Sequence, residues 1–382
     1  MNKERARILY VHHRGEMGGA ERSLLALYSG LDPTAFEVVF AGPKGGRFTE
    51  AMAEEGISHF PFQFSGLRHV PLLFKNVFLL SELVRKHRIA LIHSNGPQTN
   101  LPCGLVGRFT GVPIVWHARN LLPPGVTDWD RIFSSLANHI ICNSQAIRNR
   151  FENIGAYHTH TSVVLNAVDH ARISSEVSSK AAARTKEALP VGGWIIGAFD
   201  RLDPVKDHVT ILRAFKEVHR VHPSAHLLVV GEAFDAHSQI RRQLVDLATE
   251  LDLGRFVHFL GFRRDVFSLM SACDAVVHAS KLEGCSRVLC EAQSVGRPVV
   301  ASDGGGNPEL VEDGKTGFLF PVGDHLTLAK QVLRILADPD LMTSLSSAAK
   351  SKAMRDFTLE RYGRETEHVY RCLLSTGSRE GM

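Results

Sequence analysis

Residues 275–302 read AVVHASKLEGCSRVLCEAQSVGRPVVAS. A short apolar run, Ala275 to Ala279, opens the stretch and another, Val299 to Ser302, closes it, each with the length and β-branched content of a buried strand. A helix starting near Ser286 fills the space between them. Two strands joined by a helical crossover lie parallel, because only a long connection can return the chain to the same end of a sheet. The unit is therefore one βαβ turn of an open α/β sheet.

The same alternation runs outward in both directions. Downstream of residue 190 it gives strands at Trp194 to Phe199, His226 to Val230, Val257 to Leu260, Ala275 to Ala279, Val299 to Ser302 and Phe318 to Phe320. Upstream it gives Ile8 to His12, Val38 to Ala41, Ile57 to Pro61, Leu91 to Ser94, Ile114 to Ala118, Ile140 to Asn143 and Ser162 to Leu165. Between the two sets, residues 171–189 are rich in Ser, Ala and Lys without a strong apolar stripe, and Pro190, Gly192 and Gly193 follow. The expected organisation is a Rossmann-like domain over 1–175, a linker over 176–189 and a second Rossmann-like domain over 190–355. A length of 382 residues suits two such domains. Two doubly wound sheets in tandem leave a central cleft, and ligands of such sheets bind beyond the carboxyl ends of the strands.

Composition narrows the function. The chain is 44% hydrophobic and 22% charged, with Gly and Pro near ordinary usage, which excludes disordered and collagen-like classes. The net charge of +4 divides unevenly: through Ser175 there are 18 Lys and Arg against 13 Asp and Glu, or +5, and the remainder has 26 against 27, or −1. Neither half has the dense basic face of a nucleic-acid binder. The six cysteines form no C-x-x-C pair and read as reduced thiols, and no apolar run reaches the ~18 residues of a spanning helix, so a cytoplasmic protein is expected. The 20 histidines include no H-E-x-x-H, and the run His219, His222, His226 is broken by Pro223, so they read as surface or core residues rather than metal ligands.

Chemistry concentrates after the strands. Glu283 lies in a loop and Glu291 eight residues on within a helix, roughly 10 to 12 Å away at 1.5 Å rise per residue, with helix N–H groups between them. Carboxylates accept paired hydroxyls and a helix N-terminus favours anions, so the pair suits a nucleotide sugar: Glu283 on the hexose, Glu291 on the ribose, the diphosphate between. The alternative is that Glu291 only pairs with Arg287 at i, i+4. Arg201 and Lys206 end a strand before a helix and can neutralise a departing diphosphate, unless they merely pair with Asp203 and Asp207 on an exposed loop. In the first half, Gly18 and Gly19 open a helix where backbone can approach a phosphate or sugar closely. His117 and Arg119 end a strand, a place where a histidine is more often structural. Asp128-x-Asp130 looks like a metal-binding pair, but a capping Asp at a helix start explains it without metal.

Taken in order, these residues resemble the family 4 (group 1) retaining glycosyltransferases of GT-B architecture, over nearly the whole chain. The matching elements are a Gly-Gly-x-Glu loop (Gly18, Gly19, Glu21), a strand-end histidine (His117) and an Arg-Leu-x3-Lys segment (Arg201, Lys206). To these add E-x7-E (Glu283, Glu291) and G-x-P-V-V-A (Gly296 through Ala301). The resemblance implies transfer of a sugar from a UDP- or GDP-linked donor to an acceptor hydroxyl with retention, in polysaccharide, glycolipid or glycoconjugate synthesis. It places the donor on the second domain, against Glu291, Gly284, Cys285, Ser286, Arg287 and Val288, and the acceptor on the first. No metal or other cofactor is implied, because Arg201, Lys206 and helix N-termini serve the diphosphate. The leaving phosphate takes the acceptor proton, and His117 orients the sugar. A closing helix over 356–382 is expected to cross back onto the first domain.

Two departures stand out. The residue before Arg201 is commonly glycine and here is Asp200, which either crowds the diphosphate or holds Arg201 in place; and E-G-F-G reads Glu283, Gly284, Cys285, Ser286, with Ser286 suited to cap the helix. The acceptor is not legible. Residues 71–88 are apolar around more than half the circumference with Lys75, Arg85, Lys86 and Arg88 beside them, and read first as a core helix and second as a contact with an anionic bilayer, which would place the protein at the inner face of the membrane. A nucleotide-sugar 2-epimerase on the same architecture is the main alternative function. A dinucleotide-dependent oxidoreductase needs a G-x-G-x-x-G after a strand, and neither half has one.

Overall fold

The computed structural model describes residues 5–64, 70–152, 160–190, 192–233 and 238–377. Two compact units divide the chain, Met1–Ala167 with Leu359–Met382, and Val168–Thr358. The first holds a seven-stranded parallel sheet of β1 (Ala6–Val11), β2 (Phe36–Gly42), β3 (Ser58–Pro61), β4 (Leu91–Ser94), β5 (Ile114–Ala118), β6 (His139–Cys142) and β7 (His160–Val163). Their order is β3-β2-β1-β4-β5-β6-β7, so the winding reverses between β1 and β4.

Ile8, Leu9, Tyr10 and Val11 are all fully buried, which is why β1 reads as an unbroken apolar run rather than an alternation. Successive side chains still go to opposite faces. Ile8 and Tyr10 pack with Leu24 and Leu27 of helix Gly19–Gly30 and with Tyr362 and Tyr370 of helix Leu359–Gly377. Leu9 and Val11 pack with Val77, Leu80 and Trp116 on the other side.

The final helix Leu359–Gly377 is thus part of the first unit; residues 378–382 of the expected closing segment lie outside the described residues. It meets helix Gly19–Gly30 at two glycines, where a Cβ on Gly363 would lie 1.7 Å from the carbonyl oxygen of Gly30. Helix Val70–Lys86 buries Val77, Leu80 and Val84, in keeping with the core reading, while Leu72, Phe74, Phe78 and Leu79 are exposed.

The second unit holds β8 (Ile195–Ala198), β9 (His226–Val230), β10 (Val257–Gly261), β11 (Ala275–His278), β12 (Val299–Ser302) and β13 (Gly317–Phe320), all parallel in the order β10-β9-β8-β11-β12-β13. Its winding reverses between β8 and β11. The segment read as a linker, 176–189, carries helix Lys180–Lys186 inside this unit, and the unit begins at Val168 rather than 190. Arg184 anchors it, buried, with Nη2 2.6 Å from the buried Asp274 and Nε donating to the carbonyl of Ala272. A buried ion pair does here what an apolar stripe does elsewhere, and apolar periodicity does not register it.

Candidate functional site

Polar side chains gather in each unit where the winding reverses, the place where open α/β sheets hold ligands. In the second unit the chain leaves β8 through Phe199 and Asp200, and Asp203 accepts from the backbone N–H of Val205 to set a short turn, Pro204–Lys206. Asp207 then takes the left-handed conformation, φ 49°, before helix His208–Val221. The turn swings Lys206 back, and its Nζ lies 2.5 Å from Oε2 of Glu283 and 3.1 Å from Oδ1 of Asp200. On the neighbouring strand, His278 Nδ1 donates to Asp200 Oδ2 at 2.6 Å, and its Nε2 lies 3.4 Å from Glu283 Oε2.

Asp200, Lys206, His278 and Glu283 thus form a closed ring of two carboxylates and two cations. Burial opposes charge on each of them, and the partners win. Glu283 is drawn down to about 2 by Lys206 and His278, and Asp200 falls well below the carboxylate range beside the same two cations. His278 rises to about 9 against Asp200 and Glu283, and Lys206 rises further above its ordinary value. At neutral pH the ring is fully ionised with no net charge. Asp200, weighed in the sequence as a support for Arg201, is placed against two other cations. It serves His278 and Lys206, while Arg201, partly exposed, pairs with Asp203 at 2.9 Å. Next to the ring, His208 is buried, neither ring nitrogen has a partner among the described residues, and burial pushes it down to about 4.

Glu283 is fixed through its backbone as well, its carbonyl accepting from Gly306 N–H at 2.9 Å. Gly284 and Cys285 are buried behind it. Ser286 caps helix Arg287–Val295 as expected, with Oγ accepting from Leu289 N–H. Val288 is half-buried. Glu291 receives Arg287 Nη2 at 3.0 Å, so the i, i+4 pair weighed as its alternative role is formed.

In the first unit, Gly18 caps helix Gly19–Gly30; a Cβ there would lie 2.7 Å from Oε2 of Glu21, whereas Gly19 faces open space. Glu21 is turned inward. Its Oε1 lies 2.6 Å from Nε2 of His12, whose Nδ1 donates to the carbonyl of Asn95, tying the helix to the ends of β1 and β4. His117, at the end of β5, is fully buried. Its Nδ1 lies 3.1 Å from His93 Nε2 and 3.1 Å from Arg119 Nη2. Its Nε2 has no partner among the described residues. Burial, with Arg119 and His93 beside it, pushes His117 well below the usual imidazole range. Asp128 caps its helix and takes two bonds from Arg150, and Asp130 accepts from Asn100, so this pair is spent on structure. Among the described residues no group of His, Cys, Asp and Glu is arranged to hold a metal ion.

The reading of the histidines as surface or satisfied core residues passed over His12, His93 and His278. One signal was present in the sequence. Each ends or follows an apolar strand run (LYVHH, LIHS, AVVHAS), as His117 does in IVWHA. A polar ring at the carboxyl end of a buried parallel strand points to the ligand side of the sheet.

Residues 179–352 match the family model described as glycosyl transferases group 1, and residues 17–172 match that of glycosyltransferase family 4. A D-inositol 3-phosphate glycosyltransferase of Saccharomonospora viridis is 32% identical over 183 residues, which span 46% of this chain and only 42% of that relative. A galactosyltransferase of Escherichia coli, named as UDP-Gal:alpha-D-GlcNAc-diphosphoundecaprenol alpha-1,3-galactosyltransferase, is 22% identical over 92% of this chain and 93% of its own. Among solved structures, Anabaena HepE in complex with UDP-glucose superposes with a TM-score of 0.82 at 27% identity, covering 96% of this chain and 99% of that one. Among the described residues no helix is long and apolar enough to cross a membrane.

Proposed function

The chain belongs to the family 4, group 1 glycosyltransferases, and from that premise we propose that it moves a sugar from a UDP- or GDP-linked donor to an acceptor hydroxyl, with retention and without a metal ion. The observation that carries the reading is the Asp200, Lys206, His278, Glu283 ring at the winding reversal of the second unit. A fully ionised Glu283 is an acceptor for sugar hydroxyls. Lys206, with the more exposed Arg201 on the same loop, supplies positive charge for the diphosphate as the glycosidic C–O bond breaks. The acceptor oxygen forms the new bond to the anomeric carbon, and its proton passes to the leaving phosphate oxygen, so no protein base is needed. Glu291 reaches the ribose after exchanging its bond to Arg287 for hydroxyls. The UDP-glucose bound by the HepE structure supports a uridine-linked donor.

On the acceptor side, the exposed face of helix Val70–Lys86 supports a lipid-linked acceptor at an anionic membrane. Phe74 and Phe78 stand out at 61% and 64% exposure, with Phe109 of the neighbouring helix at 62%, among the exposed Lys75, Arg85, Lys86 and Arg108. Aromatic side chains rimmed by cations are the composition of an interfacial helix. The diphosphoundecaprenol named for the Escherichia coli relative fits the same reading. Two experiments test the proposal. A panel of nucleotide sugars, read by nucleotide release and product NMR, should give transfer with a uridine- or guanosine-linked donor, and release of a rearranged sugar without acceptor would replace transferase by epimerase. Flotation with anionic vesicles should carry the protein and lose Phe74→Ser/Phe78→Ser; equal flotation of that variant would remove the membrane face.

A further inference from the structure

The hydrogen positions around His117 are dictated by one neighbour. A guanidinium only donates, and all five N–H groups of Arg119 have acceptors. Nε bonds Asn95 Oδ1 at 2.7 Å, Nη1 bonds Ser23 Oγ at 2.8 Å and Asn166 Oδ1 at 3.0 Å, and Nη2 bonds Tyr362 Oη at 3.0 Å and His117 Nδ1 at 3.1 Å. Nδ1 of His117 must therefore present its lone pair, since a hydrogen there would point at the one on Arg119. A neutral ring must then carry its hydrogen on Nε2, and a doubly protonated ring is excluded by the same contact.

The logic passes outward along the sheet. Nε2 of His93 faces the same lone pair at 3.1 Å, so it donates, and Nδ1 of His93 is left as an acceptor. The group there is the hydroxyl of Tyr370, 2.6 Å away, which burial keeps protonated by raising it well above its ordinary value. Burial, together with Arg119, pushes His93 down to about 3, in keeping with a neutral ring. The order of hydrogens is Tyr370 to His93 to His117, with Arg119 reinforcing the last step and the Nε2–H of His117 left over. That group is fully buried and has no partner among the described residues, and a buried unpaired donor costs about 1–3 kcal/mol. A substrate oxygen would relieve it.

We propose that Arg119 is a positioning residue that sets His117 as a neutral Nε2–H donor toward the sugar substrate, and that the final helix, through Tyr362 and Tyr370, holds that setting. His117 then cannot act as a base, because the nitrogen it offers already carries hydrogen. The inference deepens the glycosyltransferase reading and rests on it for the identity of the substrate. The groups facing His117 are Arg119 on its own strand's exit, His93 on β4 and Tyr362 on the final helix, while Tyr370 of that helix and Tyr10 of β1 face His93.

The test is the ring-nitrogen NMR spectrum of the full chain labelled with 15N-histidine, with signals assigned by His117→Gln and His93→Gln. His117 should be Nε2-protonated and should not titrate between pH 5.5 and 8.5. In Arg119→Met, both tautomers should appear, a titration should enter the neutral range, and kcat should fall roughly 100-fold with a smaller change in KM. Should Arg119→Met fail to fold, Tyr370→Phe removes a single hydroxyl and should disturb the His93 signals first, with a loss of roughly 3- to 10-fold in kcat. An Nδ1-protonated or charged His117 in the wild type overturns the proposal, as does an unchanged spectrum in Arg119→Met or Tyr370→Phe. The spectrum needs no substrate, so a protein that shows the expected tautomer but transfers no sugar refutes the transferase reading and leaves the wiring standing.

Discussion

The two units use the same residue type in opposite charge states at the carboxyl ends of their strands. At β8 and β11, His278 faces two carboxylates and is held as a cation, raised to about 9; at β4 and β5, His93 and His117 lie beside a guanidinium and are held neutral, with His93 pushed down to about 3. All three rings are fully buried, so burial does not decide the difference. The sign of the neighbouring charge does. One unit thereby presents an ionised ring suited to a diphosphate sugar, and the other a neutral donor suited to a hydroxyl or ether oxygen.

The largest expected effect comes from breaking the ionised side. Lys206→Ala leaves Asp200 and Glu283 sharing one imidazolium and, on the proposed reading, removes a positive charge that serves the diphosphate. The expected loss in kcat/KM is roughly 100- to 1,000-fold, the scale of removing one preorganised stabiliser of transition-state charge. Steady-state kinetics with a uridine-linked donor checks it.

A mid-sized effect should come from the support beneath the neutral side. Gly363→Ala drives a methyl group into the carbonyl of Gly30. Forcing the two helices apart should cost about 1–3 kcal/mol of stability, measured as a lower urea midpoint. Because Tyr362 and Tyr370 ride on the displaced helix, kcat should fall as well, whereas nucleotide affinity in the second unit should hold.

The smallest effect separates the two sides by pH. A histidine raised above its unfolded value near 6.5 contributes stability that is complete below that pH and is lost as pH rises through its folded value. His278 thus supports the fold at pH 6 and loses that contribution toward about 9. His93 is depressed, so its contribution is present above about 6.5 and is lost as pH falls toward about 3. Urea midpoints across pH should show His278→Gln flattening the alkaline limb and His93→Gln the acid limb. The same limb flattened by both would end the contrast.

The sheets were legible because parallel strands buried on both faces are written as plain apolar runs, as in Ile8 to Val11 and Val299 to Val300. Glu283 and Lys206 were each legible from a short motif, E-x7-E and Arg-Leu-x3-Lys, and Ser286 from its place before a helix, but not the meeting of the first two across 77 residues. What escaped was long-range. Asp200 and His278 are 78 residues apart and Tyr370 and His93 are 277 apart. Nothing local says that Asp200 turns toward β11 rather than toward Arg201, or that Tyr370 delivers its hydroxyl to β4. Arg184 escaped for a related reason, since its anchor is a charge, Asp274, and not an apolar face.

On the proposed reading, the ionised ring of the second unit holds a nucleotide sugar. Calorimetric titration of the full chain with UDP-glucose and GDP-mannose, without added metal and with chelator present, tests it most directly. Saturable binding of one of these is expected, weakened at least tenfold in Lys206→Ala and in Glu283→Gln. Binding of neither, or equal affinity in wild type and both variants, would contradict it.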